Sequence, residues 1–119
     1  MTLYERKLYI FKLLWKIIYF DREDLGSILG LSRSSSPNEI NTICYNNYKK
    51  TNINHPIGTI IHEIISIIRI MCLHNFSQLY RKNIINILKI VAKLLIDTIN
   101  TNKYDTIESL QHRISMAMI

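Results

Sequence analysis

The side chains of this chain with the reactivity for catalysis are its four histidines, its two cysteines and its dispersed serines and carboxylates. His62-Glu63 opens like a zinc-protease helix, in which two histidines one turn apart bind metal and the intervening glutamate serves as base. Position 66, however, is serine, so the second ligand is missing. Cys44 and Cys72 stand far apart, without the close ligand pairs a structural zinc requires. No glycine-rich phosphate loop occurs, and no spacing of His74, Cys72 and the serines selects a nucleophile with its base. The residues therefore predict a non-enzyme: no catalytic site, no metal, no cofactor and no small-molecule substrate. Two unpaired cysteines fit a reduced thiol state and a cytoplasmic location.

Charge sets the next constraint. Fifteen Lys and Arg against nine Asp and Glu give a net charge of +6, which favours an anionic counterpart: nucleic acid, membrane headgroups or an acidic protein patch. The excess is dispersed, with Arg6-Lys7, Lys49-Lys50 and Arg81-Lys82 as its only adjacent pairs. Lys12 and Lys16 interrupt the apolar run from Leu8 to Phe20, which argues against a signal peptide. Glu63 and Arg69 break the run from Ile57, and Lys89 and Lys93 the next, so no stretch reaches membrane-spanning length. A soluble chain is predicted, with at most peripheral membrane contact through its first helix.

With 119 residues, of which 48% are hydrophobic, 3 Gly and 2 Pro, the chain predicts a single helical domain over 1–119. Residues 3 to 20 read as a first helix, with Leu8, Phe11, Trp15 and Ile18 as an inward stripe. A short second helix follows, with Asp21 as its cap, Leu25, Ile28 and Leu29 as its buried edge and Gly30 as its stop. Ser36-Pro37-Asn38-Glu39 is a capping box with proline at the first helical position, so a helix starts at Pro37. The segments 57–73 and 78–100 carry isoleucine and leucine at helical spacing. In the second, Leu79, Ile84, Ile87, Leu88, Val91, Leu94, Leu95 and Ile99 are expected inside. His62, Glu63, Ser66 and Arg69 are expected to line the solvent edge of the first. Asp105 to Met118 reads as a last helix, with Ile107, Leu110 and Ile114 on its apolar side. The predicted fold is all-α, a compact bundle of four to five helices with a central antiparallel hairpin formed by 57–73 and 78–100.

Within this frame, Arg22-Glu23-Asp24-Leu25-Gly26-Ser27-Ile28-Leu29-Gly30-Leu31-Ser32-Arg33-Ser34-Ser35 resembles the helix-turn-helix of bacterial transcription regulators of the cyclic-nucleotide-receptor type. The resemblance implies a DNA-binding unit over residues 22–45, with Arg33, Ser34 and Ser35 facing the duplex. It departs from the pattern where Ser36 takes a buried aliphatic position and Pro37 falls inside the recognition helix.

The remaining signal is apolar surface in excess. Tyr4, Tyr9, Trp15, Tyr19 and Phe20 on the first helix, and Ile61 and Ile70 on the 57–73 segment, are more than a small bundle needs for its interior. They are read as an interface for another protein or a homodimer partner. In size, basicity and helical make-up the chain looks like small bacterial immunity proteins and small helical adaptors. The sequence thus ranks a protein-interaction role first, with nucleic-acid binding as the alternative.

Overall fold

The structure, a computed structural model, describes residues 1–21, 24–52 and 56–100, together with His112 and Met116. The expected helix from Asp105 lies otherwise outside the described residues. The protein is all-helical: α1 (Leu3–Ile18), a 3₁₀ segment (Leu25–Leu29), α2 (Pro37–Thr51), α3 (Pro56–Leu73) and α4 (Gln78–Asn100).

Each start has a local cause. Thr2 and Glu5 form a full capping box on α1: the Glu5 amide donates to the threonine hydroxyl, and the Thr2 amide to the Glu5 carboxylate. Ser36 accepts from the amide of Glu39 at the start of α2, and Pro37 takes the first helical position. In the connector the cap is Asp24, not Asp21. Its carboxylate accepts from the Gly26 amide 3.0 Å away, and the segment it opens is a 3₁₀ turn rather than an α-helix.

Gly30 ends that turn with φ +83, in the left-handed region that L side chains disfavour, while the space around it is open. Gly30→Ala should therefore lower stability by about 1–2 kcal/mol through backbone strain alone. Gly30→Asn should cost less, since asparagine tolerates this region, and urea denaturation of the two variants separates the cases.

Packing draws α1 onto α4 and α2 onto α3, with the 3₁₀ turn seated on α3. The successive helices α3 and α4 touch each other over a shorter stretch, so their main partners are α2 and α1 rather than one another. The core is aliphatic. Ile10, Leu14 and Ile17 of α1 meet Ile61, Ile65 and Ile68 of α3 and Leu88 and Leu95 of α4 in one buried cluster. Buried polar side chains bond within their own helix: Thr51 donates to the Asn47 carbonyl and Thr98 to that of Leu94, which avoids an unsatisfied hydroxyl.

Two arginines join helix ends to the rest of the molecule. Arg6 of α1 donates to the carbonyl of Asn52, the C-cap of α2, at 2.7 Å. Arg81 of α4 donates to the carbonyl of Met71 at 3.2 Å and reaches that of His74, at the end of α3. In both, a cation answers the negative end of a helix.

The polar edge expected on α3 is turned inward instead. His62 donates from Nε2 to the Tyr48 carbonyl, Ser66 shares a hydrogen bond with the Tyr48 hydroxyl, and Arg69 donates to Asn41. All three bonds cross to α2. Only Glu63 of the four remains exposed. No helix among the described residues is long and apolar enough to cross a membrane.

Candidate functional site

The residues that stand out once the core is assigned are on α1. Its aliphatic residues Ile10, Leu13, Leu14 and Ile17 are buried, so the stripe Leu8, Phe11, Trp15 and Ile18, expected inside, is not the core face. Leu8 and Trp15 are exposed and Phe11 and Ile18 half-buried. Both stripes satisfy helical spacing. The purely aliphatic one goes in, where α1 packs on α4 and α2 and aliphatic side chains fill the shared core closely, whereas the aromatic one has no equal partner inside.

The outcome is a helix with two apolar faces. Tyr4, Leu8, Phe11, Trp15 and Tyr19 follow one another at intervals of four, three, four and four residues, a line of about 22 Å at 1.5 Å per residue. Tyr4 is 74% and Tyr19 72% exposed. The upper rings form a continuous array. Phe11 meets Trp15 edge-on with centroids 5.9 Å apart, and Trp15 stacks on Tyr19 at 5.2 Å with planes only 6° apart. Such contacts are worth about 0.5–1.5 kcal/mol each and hold the rings in one arrangement. Lys12 and Lys16 are exposed beside the stripe.

The other predicted interface residues fall differently. Tyr9 is half-buried against the core under the ammonium group of Lys50, and burial raises its pKa, so it is mainly structural. Phe20 is also half-buried against the core. Ile61 is a correction: it is 0% exposed, on the face of α3 that fills the bundle, and no surface can include it. Ile70 is exposed on α3. Near it in sequence, Phe76 contacts both His74 and Tyr80, forming a smaller aromatic corner at the α3–α4 turn. On α4 the expected inward set is displaced. Leu79 is 70% exposed and Ile87 also exposed, whereas Ile85, Ala92 and Ile96 join Leu88, Val91 and Leu95 in the core.

Arg33, Ser34 and Ser35 do not stand on a recognition helix, contrary to what the helix-turn-helix resemblance implied. Arg33 and Ser34 form a turn, and helix resumes only at Pro37. One side-chain and one backbone bond tie this turn: the Ser32 amide donates to the Ser35 hydroxyl, and the Ser35 amide to the Ser32 carbonyl. Pro37 decides the matter locally, because at the first helical position it is favourable and one turn further in it would not be.

Both cysteines are free thiols. Burial, reinforced by Cys44 and the Asp24 carboxylate and opposed by Arg81, pushes the Cys72 thiol from an ordinary 9.0 up to about 11. The unfolded thiol ionises first as pH rises. The contribution of Cys72 to stability is thus complete below about 9 and lost through about 11. Alkylation of Cys72 by iodoacetamide in the native protein should follow a midpoint near 11, and near that of an ordinary thiol in urea; mass spectrometry of the labelled peptide reads both.

Groups of three or more histidine, cysteine or acidic side chains able to hold a metal ion are absent among the described residues. Comparison with protein-family models, with curated proteins and with solved structures yields no significant match to the chain.

Proposed function

We propose that this chain is a non-enzymatic, cytoplasmic interaction protein. Its outer α1 face receives an amphipathic helix of another protein, apolar on one side and edged with Asp and Glu. The observation that carries the reading is the second apolar stripe of α1, with its pre-stacked rings at Phe11, Trp15 and Tyr19. Interfaces are enriched in such rings, and a helix laid along a groove or face is a common mode of recognition.

Charge selects the occupant. On the exposed surface of α1, Glu5 is the one acid against Lys7, Lys12 and Lys16, while Arg6 is turned to the α2 C-cap. Two copies pairing through this face would bring basic edges together in either direction: Lys12 beside Lys12 if parallel, Lys16 near Lys7 if antiparallel. An acidic-edged partner turns the same charges into attraction and speeds encounter. Duplex DNA offers phosphates to the lysines but nothing apolar to the rings.

The test is sedimentation equilibrium of the full chain alone and mixed with a synthetic leucine-faced helix edged by glutamate, beside the same helix edged by lysine. A monomer that forms a one-to-one complex with the glutamate version only, weakening with salt, supports the proposal. A stable dimer without peptide, equal binding of both peptides, or preferential binding to phosphatidylserine vesicles overturns it.

A further inference from the structure

A second site lies where the chain segments 24–40, 72–75 and 78–81 converge. Between them is a cavity of about 350 Å³, within the range of small-ligand sites. Leu31 and Ile40, both buried, supply part of its apolar lining. Its lining also includes two arginines, Arg33 and Arg81, two serines, Ser32 and Ser35, and two carboxamide residues, Asn75 and Gln78. One carboxylate, Asp24, lies on the same lining.

Donors dominate this wall. Two arginines, two serines and two carboxamides offer hydrogen bonds from several directions. That suits an anion with three or four oxygens better than a planar carboxylate with two. Arg81 lines the cavity with Nη2 anchored on the carbonyls of Met71 and His74, which fixes the guanidinium and leaves its other N–H groups to donate. Arg33, exposed at the rim, has no hydrogen-bond partner among the described residues.

Asp24 refines the choice. One of its oxygens accepts from the Gly26 amide, and its charge would repel a bare phosphate ion. A ligand that presents a donor to Asp24 while its phosphate faces the arginines satisfies both walls, and the cavity is larger than phosphate alone requires. We propose that this cavity binds a small phosphate monoester carrying an amine or hydroxyl group. The site is independent of the α1 face, and nothing in the linear sequence announces it, because its walls come from three separate segments.

Phosphoethanolamine, inorganic phosphate and ethanolamine are the probes, titrated into the full chain at low ionic strength and followed by amide chemical shifts in a nitrogen–proton correlation spectrum. Phosphoethanolamine should shift residues around the cavity at millimolar concentration or below, phosphate should bind several-fold more weakly, and ethanolamine should not bind. Arg33→Gln, a substitution in an exposed turn, should weaken phosphoethanolamine at least tenfold, whereas Lys93→Gln on the exposed side of α4 should leave it unchanged. Asp24→Asn preserves the cap, since asparagine caps as well as aspartate, and should erase the preference for phosphoethanolamine over phosphate. The proposal is overturned if no cavity residue shifts, if the shifts follow exposed lysines, or if Arg33→Gln binds like the parent while its spectrum remains folded.

Discussion

Ile65→Ala should destabilise the protein by about 2–5 kcal/mol, the largest effect expected of any single truncation described above. Ile65 is fully buried in α3, in the cluster that also contains Leu14 of α1 and Leu95 of α4. Cutting it back to alanine removes three carbons and leaves a void that these stiff aliphatic neighbours close only in part. Small domains are stable by roughly 5–15 kcal/mol, so the variant should lose a large fraction of its margin. Ile67→Ala, two residues away on the exposed side of α3, should cost less than about 1 kcal/mol. Urea unfolding followed by circular dichroism measures both, and the slope against urea should stay constant if the native core is otherwise intact. Equal losses at the two positions would mean that α3 is not oriented as described.

Trp15→Ala combined with Tyr19→Ala should produce the mirror-image result: binding lost, folding kept. Both side chains are exposed and their principal ring contacts are with each other and with Phe11. Removing them therefore empties no core space. The fold should lose no more than about 1–2 kcal/mol, from the vanished ring contacts. Affinity for the glutamate-edged helix should fall roughly 30-fold to 1,000-fold, the scale of an aromatic hot spot worth about 2–4 kcal/mol. Sedimentation and thermal unfolding on the same sample separate the two readouts. A second pair, Lys12→Gln with Lys16→Gln, should lower affinity less and flatten its salt dependence, since rim charges steer more than they anchor.

Much of the helical frame was legible because its signals are local. Ser36 and Pro37 mark the start of α2 through one side-chain bond and one fixed φ, and α3 and α4 begin and end within a residue of where their apolar periodicity places them. What the sequence left ambiguous is the rotation of each helix. Both Leu8-Phe11-Trp15-Ile18 and Ile10-Leu13-Leu14-Ile17 meet the helical spacing, and the choice between them is made by the partner surface, which no local pattern encodes. The same ambiguity shifted α4, where Ile84, Ile85, Ile87 and Leu88 offer an apolar side chain at almost every phase.

The sites divide along the same line. Tyr4 and Tyr19 were placed outside the core from the sequence because an aromatic excess is visible without knowing the fold, whereas Leu8, Phe11 and Trp15 were read as an inward stripe for want of the rotation, Trp15 being also named with the surface aromatics. Ile61 was misplaced because an isoleucine at a buried phase looks the same in sequence as one at an exposed phase. One signal for α1 was present: a stripe containing Trp and Tyr beside a purely aliphatic stripe points the aromatic one outward, where an amphipathic ring keeps its polar edge in water. The cavity gave no such signal, since Asp24, Arg33, Asn75 and Arg81 become neighbours only through the packing of the 3₁₀ turn on α3.

Trp15 is the only tryptophan in the chain and lies within the aromatic stripe, so its fluorescence tests the central claim most directly. Titrating the 119-residue chain with a tryptophan-free, glutamate-edged helix should shift Trp15 emission to shorter wavelength and protect it from acrylamide as the complex forms, in step with the sedimentation isotherm. A complex that forms while Trp15 emission and quenching stay those of the free protein would place the contact elsewhere and contradict the assignment of α1 as the docking face.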